Sequence, residues 1–454
     1  MKNLDLKGKK VLVVGLGKSG LASLRLLSRS GAQLIANDMR PQEEIADAVR
    51  EAKTLGVELV LGAHPEELFT SVDQIVLSPG VPLLPALVAA DKKGIRIASE
   101  VEIASWFIEG MILGVTGTNG KSTVTSLLGE MMQKTGAPTF VGGNLGTPLV
   151  EAIGTDAARK SGVVVAEMSS FQLERVEHLH VHVAVLMNVT DDHLDRHGTF
   201  ASYAAAKARI FHGQTKADFA IVPEGDEVVL ALAKAGAAPI HTFGGSRSEV
   251  RVEGENIVDT KTGLSVPLAD LHIRGAHNQM NACAAALAAR LAGASVHHIE
   301  SVLREFRGLP HRMELVRTRA GVSFFDDSKA TNVGATVAAI DGIKSTYSHI
   351  VLIAGGKDKG GSYAPIAERM ARVGRAVVLL GEATPLIESA LKDSGVAIRK
   401  VASMEDAVAR AVELAKSGDA VLLAPACASF DMYRSYAHRG DEFQRAVRAL
   451  PEVA

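Results

Sequence analysis

The chain has 454 residues, a length that predicts about three domains at roughly 150 residues each. Its 49 basic and 51 acidic residues give a formal net charge of −2, so the overall charge gives no reason to expect a nucleic-acid partner. The composition, 22% charged and 47% hydrophobic, argues against disorder. No apolar run is long enough to span a membrane, and two cysteines fit a reducing cytoplasm.

The first part of the chain predicts a nucleotide-binding unit. Apolar runs at residues 11–14, 34–36 and 75–77 each end in a polar or glycine-rich turn, which predicts a small parallel sheet with helices over residues 1–110. Residues 15–20 read Gly-Leu-Gly-Lys-Ser-Gly, and Asp38 follows at a distance typical of a dinucleotide fingerprint. This pattern alone leaves open an NAD-type ligand, another nucleotide, or a tight structural turn.

The second part predicts a phosphate-binding loop. A buried strand at 111–115 is followed by Thr-Gly-Thr-Asn-Gly-Lys-Ser-Thr at 116–123 and by a helix from about Lys121. In such a loop the backbone N–H groups bind phosphate oxygens, the lysine reaches the β- and γ-phosphates, and the serine hydroxyl can ligate Mg²⁺. The general pattern has glycine where this chain has Val115. The alternative is a glycine turn beside a surface lysine.

Polar side chains follow two further predicted strands of this part, at 163–166 and 184–187. Glu167 at the end of the first could ligate Mg²⁺ or orient water, or it could cap a helix or lie exposed. His193, among the carboxylates of residues 191–195, could ligate a metal, or it could be an ordinary core or surface histidine. Spacing alone marks Lys207, in a helix predicted over 203–209, as a solvated helix lysine.

Two more features belong to this part. Asn278 and Asn281 are three residues apart before an Ala-rich helix predicted at 281–290, so they share a face and could bind an adenine edge; helix capping explains one of them equally well. Alternation of apolar and charged residues at 250–252 predicts antiparallel strands at an edge of the sheet.

The last part predicts a third α/β unit. Gly and Pro at 306–312 follow a helical pattern and indicate a domain boundary. Strands are predicted at 323–325, 349–354, 376–380 and 420–423. Polar stretches at 326–332, 355–360 and 426–431 follow three of them. They predict a ligand crevice at the carboxyl edge of the sheet, although each could be an ordinary loop.

The loop at 116–123 resembles the ATP loop of the Mur ligase family and its folylpolyglutamate synthetase relatives, including the departure at Val115. Residues 167–173, 188–193, 277–281 and 309–312 occur in the family's order, so the resemblance covers nearly the whole chain. Asp-Ser-Lys-Ala-Thr-Asn at 327–332, and residues 425–431 with 438–440, look typical of the member that adds D-glutamate.

The resemblance implies an α/β protein of three domains. Residues 1–110 would be a Rossmann-like domain for the UDP substrate, 111–308 a P-loop ATPase-like domain for ATP, and 309–454 a Rossmann-like domain for the amino acid. It implies an ADP-forming ligase that joins D-glutamate to UDP-N-acetylmuramoyl-L-alanine through an acyl phosphate and a tetrahedral intermediate, in peptidoglycan precursor synthesis. The enzyme would be a cytoplasmic monomer with ATP as co-substrate, two Mg²⁺ ions, and no membrane or nucleic-acid partner.

The resemblance also implies roles for particular residues. Catalysis would use Lys121, His193, Lys207 and Lys329. ATP would contact Gly117, Thr118, Asn119, Gly120, Lys121, Ser122, Thr123, Asn278, Asn281 and Arg312. The UDP substrate would contact Ser19, Asp38, Arg40, Ser78, Gly80, Asn144 and His193. D-Glutamate would contact Thr331, Lys359, Ser429, Phe430 and Tyr436. The Mg²⁺ ligands would be Ser122, Glu167, His193 and Lys207, with Lys207 carbamylated by CO₂.

Three positions depart from the family pattern or leave a choice open. Met39 stands where a small hydroxyl side chain is expected, and Tyr436 where Phe is more usual. Lys357 competes with Lys359 for the carboxylate-binding role. Three other functions remain open: a sibling ligase with another amino acid or acyl nucleotide, a nucleotide-binding oxidoreductase, and a non-catalytic ATP switch.

Overall fold

The computed structural model describes residues 6–273, 275–344 and 346–451, with Asp195 described in its backbone only. It contains three β-sheets with helices between the strands, which confirms the predicted α/β class. Two compact units result: Met1–Val189, Ala201–Asp270 and Met280–Arg304 form the first, and Thr190–Phe200, Leu271–Gln279 and Glu305–Ala454 form the second. The helices described lack the combined length and hydrophobicity that crossing a bilayer requires.

The first sheet has five parallel strands in the order β3-β2-β1-β4-β5. The three predicted strands are present, and β3 and β5 were not predicted because their sequences are short and partly polar. Its strands are β1 (Lys10–Val14), β2 (Gln33–Asp38), β3 (Glu58–Leu61), β4 (Gln74–Leu77) and β5 (Arg96–Ser99). Its helices are α1 (Lys18–Leu27), α2 (Ala46–Thr54), α3 (Glu66–Thr70), α4 (Pro85–Lys92) and α5 (Glu100–Ser105).

The second sheet has nine strands, in the order β14-β13-β12-β11-β10-β9-β6-β8-β7. Strand β6 lies between β8 and β9, so the ends of these three strands meet at one edge. The predicted antiparallel edge is confirmed in β12 to β14. The strands are β6 (Met111–Thr116), β7 (Thr139–Gly143), β8 (Val163–Glu167), β9 (Val183–Leu186), β10 (Phe219–Pro223), β11 (Ile240–Phe243), β12 (Val250–Glu253), β13 (Asn256–Asp259) and β14 (Leu264–Pro267). The helices are α6 (Lys121–Lys134), α7 (Ser170–Leu173), α8 (Leu194–His197), α9 (Phe200–Ala208), α10 (Glu227–Ala233), α11 (Ala276–Leu291) and α12 (Val296–Glu305).

The third sheet has six strands in the order β15-β16-β20-β17-β18-β19, with only the β15–β16 pair antiparallel. Strand β20 lies between β16 and β17, so the loops after these three strands are neighbours. The strands are β15 (Glu314–Arg319), β16 (Val322–Asp326), β17 (Ile350–Ala354), β18 (Gly374–Leu379), β19 (Ala397–Lys400) and β20 (Ala420–Leu423). The helices are α13 (Val333–Ile343), α14 (Ala364–Val373), α15 (Thr384–Leu391), α16 (Met404–Leu414) and α17 (Tyr436–Arg448).

A buried carboxyl group links the helix after β5 to the segment after β7. Glu100, at the start of α5, is 1% exposed, and its Oε1 accepts a hydrogen bond from the backbone N–H of Val150 at 2.7 Å. Burial raises the pKa of Glu100 to about 7, although hydrogen bonds from the backbone of Leu149 and Val150 and from the Gln172 side chain act in the opposite direction. The carboxyl therefore takes up a proton more readily in the folded chain than in the unfolded chain.

The Glu100→Gln variant should show what this proton does to stability. Between pH 4.5 and about 7 the folded chain holds a proton that the unfolded chain has lost, so raising the pH across this window destabilises the wild type. The variant lacks this dependence. Urea unfolding followed by the fluorescence of Trp106, the single tryptophan, should show the free energy of unfolding of the wild type falling relative to the variant from pH 5 to pH 8. Glu66→Gln, at an exposed position, serves as control; an identical pH trend in both variants would contradict the prediction.

Candidate active site

The predicted phosphate loop connects β6 to α6 and is fixed by the neighbouring strand ends. The backbone N–H of Thr118 donates to the carbonyl of Asn188 at 2.9 Å, and the N–H of Asn119 donates to Asn188 Oδ1 at 2.9 Å. The Asn188 amide in turn donates to the Asn119 carbonyl at 3.2 Å. Sequence reasoning gave Asn188 no role of its own, although it lies in a segment matching the family. The residue fixes the loop to the end of β9.

Gly120 allows the turn from the loop into α6. Its φ is +85°, and a Cβ there would lie 2.4 Å from Oδ1 of Asn281, so this position needs glycine. Ser122 and Thr123 lie in the first turn of α6 and are buried. The Nζ of Lys121 donates to the carbonyls of Gly117 at 2.9 Å and Thr118 at 2.8 Å, so the amine lies over the loop itself.

Lys207 is not the solvated helix lysine that its spacing alone indicated. It lies in α9, is 2% exposed, and its Nζ donates to the Gly117 carbonyl at 2.7 Å. Its Nζ also lies 4.6 Å from the centre of the Tyr203 ring, whose hydroxyl is 3.1 Å from Thr118 Oγ1. Two lysine amines, those of Lys121 and Lys207, thus share one carbonyl of the phosphate loop.

Glu167 ends β8 opposite Val115 and is 1% exposed. The alternative of a helix cap is wrong, because the cap of α7 is Ser169, which forms a capping box with Gln172. The Glu167 Oε1 accepts a hydrogen bond from Asn144 Nδ2 at 2.6 Å, and the Glu167 carbonyl accepts from the Asn144 N–H at 2.8 Å. Asn144 also lines a cavity at the carboxyl edge of the first sheet.

A cavity of about 550 Å³ lies at the carboxyl edge of the first sheet. The predicted UDP-substrate residues that line it are Ser19, Asp38, Arg40, Ser78, Gly80 and Asn144. Asn144 therefore connects this cavity to Glu167 beside the phosphate loop, which places the two predicted ligand regions within the same unit.

The glycine-rich turn at residues 15–20 forms part of the cavity wall. A Cβ on Gly20 would lie 1.8 Å from the Gly15 carbonyl, so α1 can pack against the turn after β1 only with glycine here. The Ser78 hydroxyl donates to the same carbonyl at 2.8 Å. Ser78 thus supports the turn in addition to lining the cavity.

Asp38 is held in its ionised form. Its carboxylate accepts from the Leu16 N–H at 2.7 Å and from Arg40 Nε and Nη2 at 2.9 and 2.8 Å. Burial alone would raise the pKa of Asp38, but these hydrogen bonds and the Arg40 charge lower it to about 2. Met39, which departs from the family pattern, is 58% exposed and lines the cavity.

His193 belongs to the second unit by its contacts, whereas Ser122, Glu167 and Lys207 belong to the first. It caps α8 with a left-handed φ of +53°, and its N–H donates to Asp192 Oδ1 at 3.0 Å. Asp192 is 7% exposed, and its carboxylate also accepts from Asn332 Nδ2 at 3.1 Å and lies 3.6 Å from Lys359 Nζ. Sequence reasoning treated Asp192 as one of several nearby carboxylates and missed this connection.

The three polar loops of the third sheet lie side by side, as predicted. The Ala426 N–H donates to the Ala330 carbonyl at 2.9 Å, and Lys357 and Ala428 form an antiparallel bridge. The Nζ of Lys359 lies 3.4 Å from Thr331 Oγ1. These contacts join the loops after β16, β20 and β17 at one edge of the sheet.

A buried arginine fixes two of these loops. Arg439 is 2% exposed and donates to the Ser328 hydroxyl at 3.0 Å and carbonyl at 2.9 Å, and to the Cys427 carbonyl at 3.2 Å. Burial lowers its pKa to about 10. The Nζ of Lys329 lies 3.9 Å from the centre of the Tyr436 ring. Sequence reasoning included Arg439 in a family motif without assigning its contacts.

The other predicted binding residues differ in their exposure and in the groups that they contact. Ser429 is 2% exposed, whereas Phe430 is 72% exposed on the same loop. Arg312 faces the buried carboxyl of Asp327, whose pKa is raised to about 7 by burial despite the Arg312 charge. Asn278 and Asn281 lie within α11, which begins five residues earlier than the predicted helix, and Asn281 packs against the phosphate loop.

A glycine-rich loop after a buried strand of the second sheet, together with polar strand ends on the other two sheets, is typical of nucleotide-binding α/β proteins. Residues 9–99 match the model of the Mur ligase MurD-like N-terminal domain, 115–289 that of the Mur ligase middle domain, and 311–427 that of the Mur ligase glutamate ligase domain. The chain belongs to the Mur ligase family.

Individual relatives match over nearly the full length. A UDP-N-acetylmuramoylalanine–D-glutamate ligase of Geotalea daltonii is 42% identical, with 98% of this chain and 99% of the relative covered. One of Desulfatibacillum aliphaticivorans is 44% identical, covering 99% of this chain and 100% of the relative. The crystal structure of UDP-N-acetylmuramate-alanine ligase MurC from Thermotoga maritima has a TM-score of 0.60 at 18% identity, covering 97% of this chain and 99% of that one, and shares the fold.

Proposed function

We propose that the chain is an ATP-dependent ligase that adds D-glutamate to UDP-N-acetylmuramoyl-L-alanine. The observation that carries the proposal is the full-length similarity, at 42–44% identity, to relatives named for that reaction. The phosphate loop supports the ATP requirement, and the cavity beside Asp38 offers a place for the uridine nucleotide. An oxidoreductase would have no function for Lys121, and the family models that match these regions describe Mur ligases.

The chemistry needs a phosphoryl transfer before the amide can form. A carboxylate is a poor acyl donor, so its oxygen attacks the γ-phosphorus of ATP, ADP leaves, and an acyl phosphate results. The neutral amine of D-glutamate then adds to the acyl carbon, the nitrogen releases a proton, and phosphate leaves from the tetrahedral intermediate. Lys121 would neutralise charge on the transferred group from the ATP side, and Lys329 would do so from the amino-acid side.

The oxygen donors beside the phosphate loop fit Mg²⁺. Glu167 is a buried carboxylate at a strand end and Ser122 a buried hydroxyl at a helix start, both hard ligands of the kind Mg²⁺ prefers. We propose that they hold one ion, and that His193 and a carbamate on Lys207 hold a second. When bound, Mg²⁺ would reduce the repulsion between the substrate carboxylate and the phosphates.

Carbamylation of Lys207 suits its surroundings. The Lys207 amine and CO₂ would form an N–C bond, releasing one proton and leaving a carbamate anion. The anion would stand beside the Lys121 amine, at a carbonyl that both lysines now contact. A cluster of two amines would thereby become a mixed-charge site with oxygen ligands for a metal ion.

D-Glutamate would be held by the joined loops of the third sheet. We propose that Lys359 and Thr331 bind one of its carboxylates, and that Ser429, Phe430 and Tyr436 complete the site. Lys359 is favoured over Lys357 by two observations. The Lys357 backbone bridges to Ala428 and the residue is exposed, whereas the Lys359 amine lies among Thr331 and Asp192.

Replacing each of the two lysines by alanine tests this choice. Lys359→Ala should raise the KM for D-glutamate roughly thirtyfold, the effect of a charge-assisted hydrogen bond worth about 2 kcal/mol. Lys357→Ala is the matched control and should change that KM by less than about twofold, as expected of a residue that makes no contact with the ligand. Steady-state kinetics with D-glutamate varied would decide; the reverse order of effects would assign the role to Lys357.

We propose ATP contacts with residues 117–123 and with Asn278, Asn281 and Arg312, and contacts of the UDP substrate with Ser19, Asp38, Arg40, Ser78, Gly80, Asn144 and His193. We also propose domain boundaries at 110 and 308, which fall between the strands of successive sheets, a monomeric state and a cytoplasmic location.

Product analysis tests the proposed reaction. Incubation with Mg²⁺, ATP, UDP-N-acetylmuramoyl-L-alanine and D-glutamate should yield a compound whose mass is the sum of the last two less one water, with one ADP formed per product. ATP binding with no such product would favour the non-catalytic ATP switch. NAD(H) binding without ATP consumption would favour the oxidoreductase.

A further inference from the structure

His64 follows β3 and lines the same cavity as Asp38 and Arg40. Neither its position in the sequence nor the resemblance to the family assigned a role to His64. Its ring is fixed from two sides: Nδ1 lies 2.5 Å from Oδ1 of Asn37, and the ring makes an edge-on contact with Phe69, with the centroids 6.0 Å apart. The histidine is therefore a positioned part of the cavity wall.

The contacts of Asn37 determine which nitrogen of His64 carries the proton. Asn37 is fully buried, and its Nδ2 lies 2.8 Å from the Val60 carbonyl and 2.7 Å from the Ala63 carbonyl. Carbonyls only accept hydrogen bonds, so the amide nitrogen must face them, and Oδ1 is left to face His64. Because Oδ1 also only accepts, Nδ1 of His64 must be the protonated nitrogen.

The other ring nitrogen, Nε2, is then an acceptor in the neutral histidine. Within the described residues 6–273, no hydrogen bond to this nitrogen is present. Burial lowers the pKa of His64, although the charge of Asp38 acts in the opposite direction, so the neutral form is favoured. Asp38, in contrast, already accepts hydrogen bonds from Leu16 and Arg40.

The position of His64 in the sheet indicates which part of a ligand it meets. Strand β2 lies between β1 and β3, with the glycine turn after β1 and His64 after β3. A diphosphate at the start of α1 would leave the nucleoside to extend along the edge toward β2 and β3. The ring nitrogen therefore meets the nucleoside end of the ligand.

From this arrangement we infer that His64 is a recognition residue, whose Nε2 accepts a hydrogen bond from an N–H or O–H of the nucleoside. The inference rests on the proposed uridine-nucleotide substrate. The donor is either N3–H of the uracil or a hydroxyl of the ribose. A cytosine ring has an acceptor at its N3 position, so reading N3–H would also select uracil over cytosine.

Calorimetric titration of the full chain with UDP tests the inference without requiring ligase activity. His64→Phe keeps an aromatic ring but lacks the acceptor, and it should weaken UDP binding roughly five- to tenfold, the effect of one neutral hydrogen bond. His64→Gln restores an acceptor and should recover part of the loss. His297→Phe, at an exposed position in α12, is the matched control and should leave binding unchanged.

Two UDP analogues identify the donor. N3-methyl-UDP and 2′-deoxy-UDP each lack one candidate, and the analogue without the donor read by His64 should bind wild type and His64→Phe equally. If both analogues still distinguish the two proteins, the 3′-hydroxyl is the remaining donor, and 3′-deoxy-UDP should abolish the difference. Nitrogen-15 NMR should find the Nδ1–H tautomer of His64 in the free protein.

Unchanged UDP affinity in His64→Phe would overturn the inference, as would an Nε2–H tautomer or a wild type that fails to bind UDP. The proposed reaction fails separately: UDP binding that depends on His64, without D-glutamate-dependent product, would retain the recognition role and reject the ligase.

Discussion

Lys121→Ala should abolish D-glutamate-dependent phosphate release while leaving the chain folded. The lysine is in position to stabilise charge on the transferred phosphoryl group, and losing such a group costs on the order of 10³-fold in rate. Its Nζ donates to two carbonyls of its own loop, so its removal should lower the free energy of unfolding by only about 1 kcal/mol. A phosphate-release assay and a thermal unfolding curve measure the two effects.

Lys134→Ala is the matched control for Lys121. It removes an exposed lysine from the other end of the same helix, α6, and should leave turnover within about twofold of wild type, as is usual for a surface substitution. Turnover retained in Lys121→Ala would remove the ATP role assigned to the loop. Equal loss in both variants would indicate general damage to the helix.

Lys207→Arg should also be inactive, because arginine cannot form the carbamate that is proposed to ligate the second Mg²⁺. Losing this ion removes several kcal/mol of charge stabilisation from the transition state, which should slow the reaction on the order of 10³-fold. Lys216→Arg, at an exposed position, is the control and should retain activity. Phosphate release by the two variants at equal concentration provides the measurement.

Because Lys207 is buried, its variant could lose activity through misfolding, and the wild type supplies an independent test. Removing CO₂ and bicarbonate from the buffer should lower the activity, and adding bicarbonate should restore it. Carbon-13 bicarbonate should give a carbamate NMR signal that Lys207→Arg lacks. An active Lys207→Arg variant, or wild-type activity indifferent to CO₂, would contradict the carbamate.

The sequence predicted most of the strands that bury a continuous apolar run, although it missed β10, which is almost wholly buried. Strand β6, the phosphate loop and α6 were predicted because the strand is buried and the glycine pattern at its end is specific. Strands β3, β15 and β19 were missed because they are partly exposed edge or near-edge strands with mixed composition. Periodicity carries little signal for such strands.

The burial of Lys207 and the link from Asp192 to Lys359 could not be predicted from local pattern. Lys207 lies on a short Ala-rich helix, and only the packing of α9 against the loop turns its side chain inward. Asp192 and Lys359 are far apart in sequence, and tertiary structure alone brings them to 3.6 Å. The His64 tautomer likewise depends on the hydrogen bonds of Asn37 to the Val60 and Ala63 carbonyls, and no sequence motif predicts these contacts.

The most direct test of the central claim is phosphate release from Mg-ATP with UDP-N-acetylmuramoyl-L-alanine and one of D-glutamate, L-glutamate, L-lysine or no amino acid. We expect release only when the nucleotide substrate and D-glutamate are both present. Release with L-lysine or L-glutamate in place of D-glutamate would assign the chain to a sibling activity and contradict the roles given to Lys359 and Ser429. No release in any combination would contradict the ligase itself.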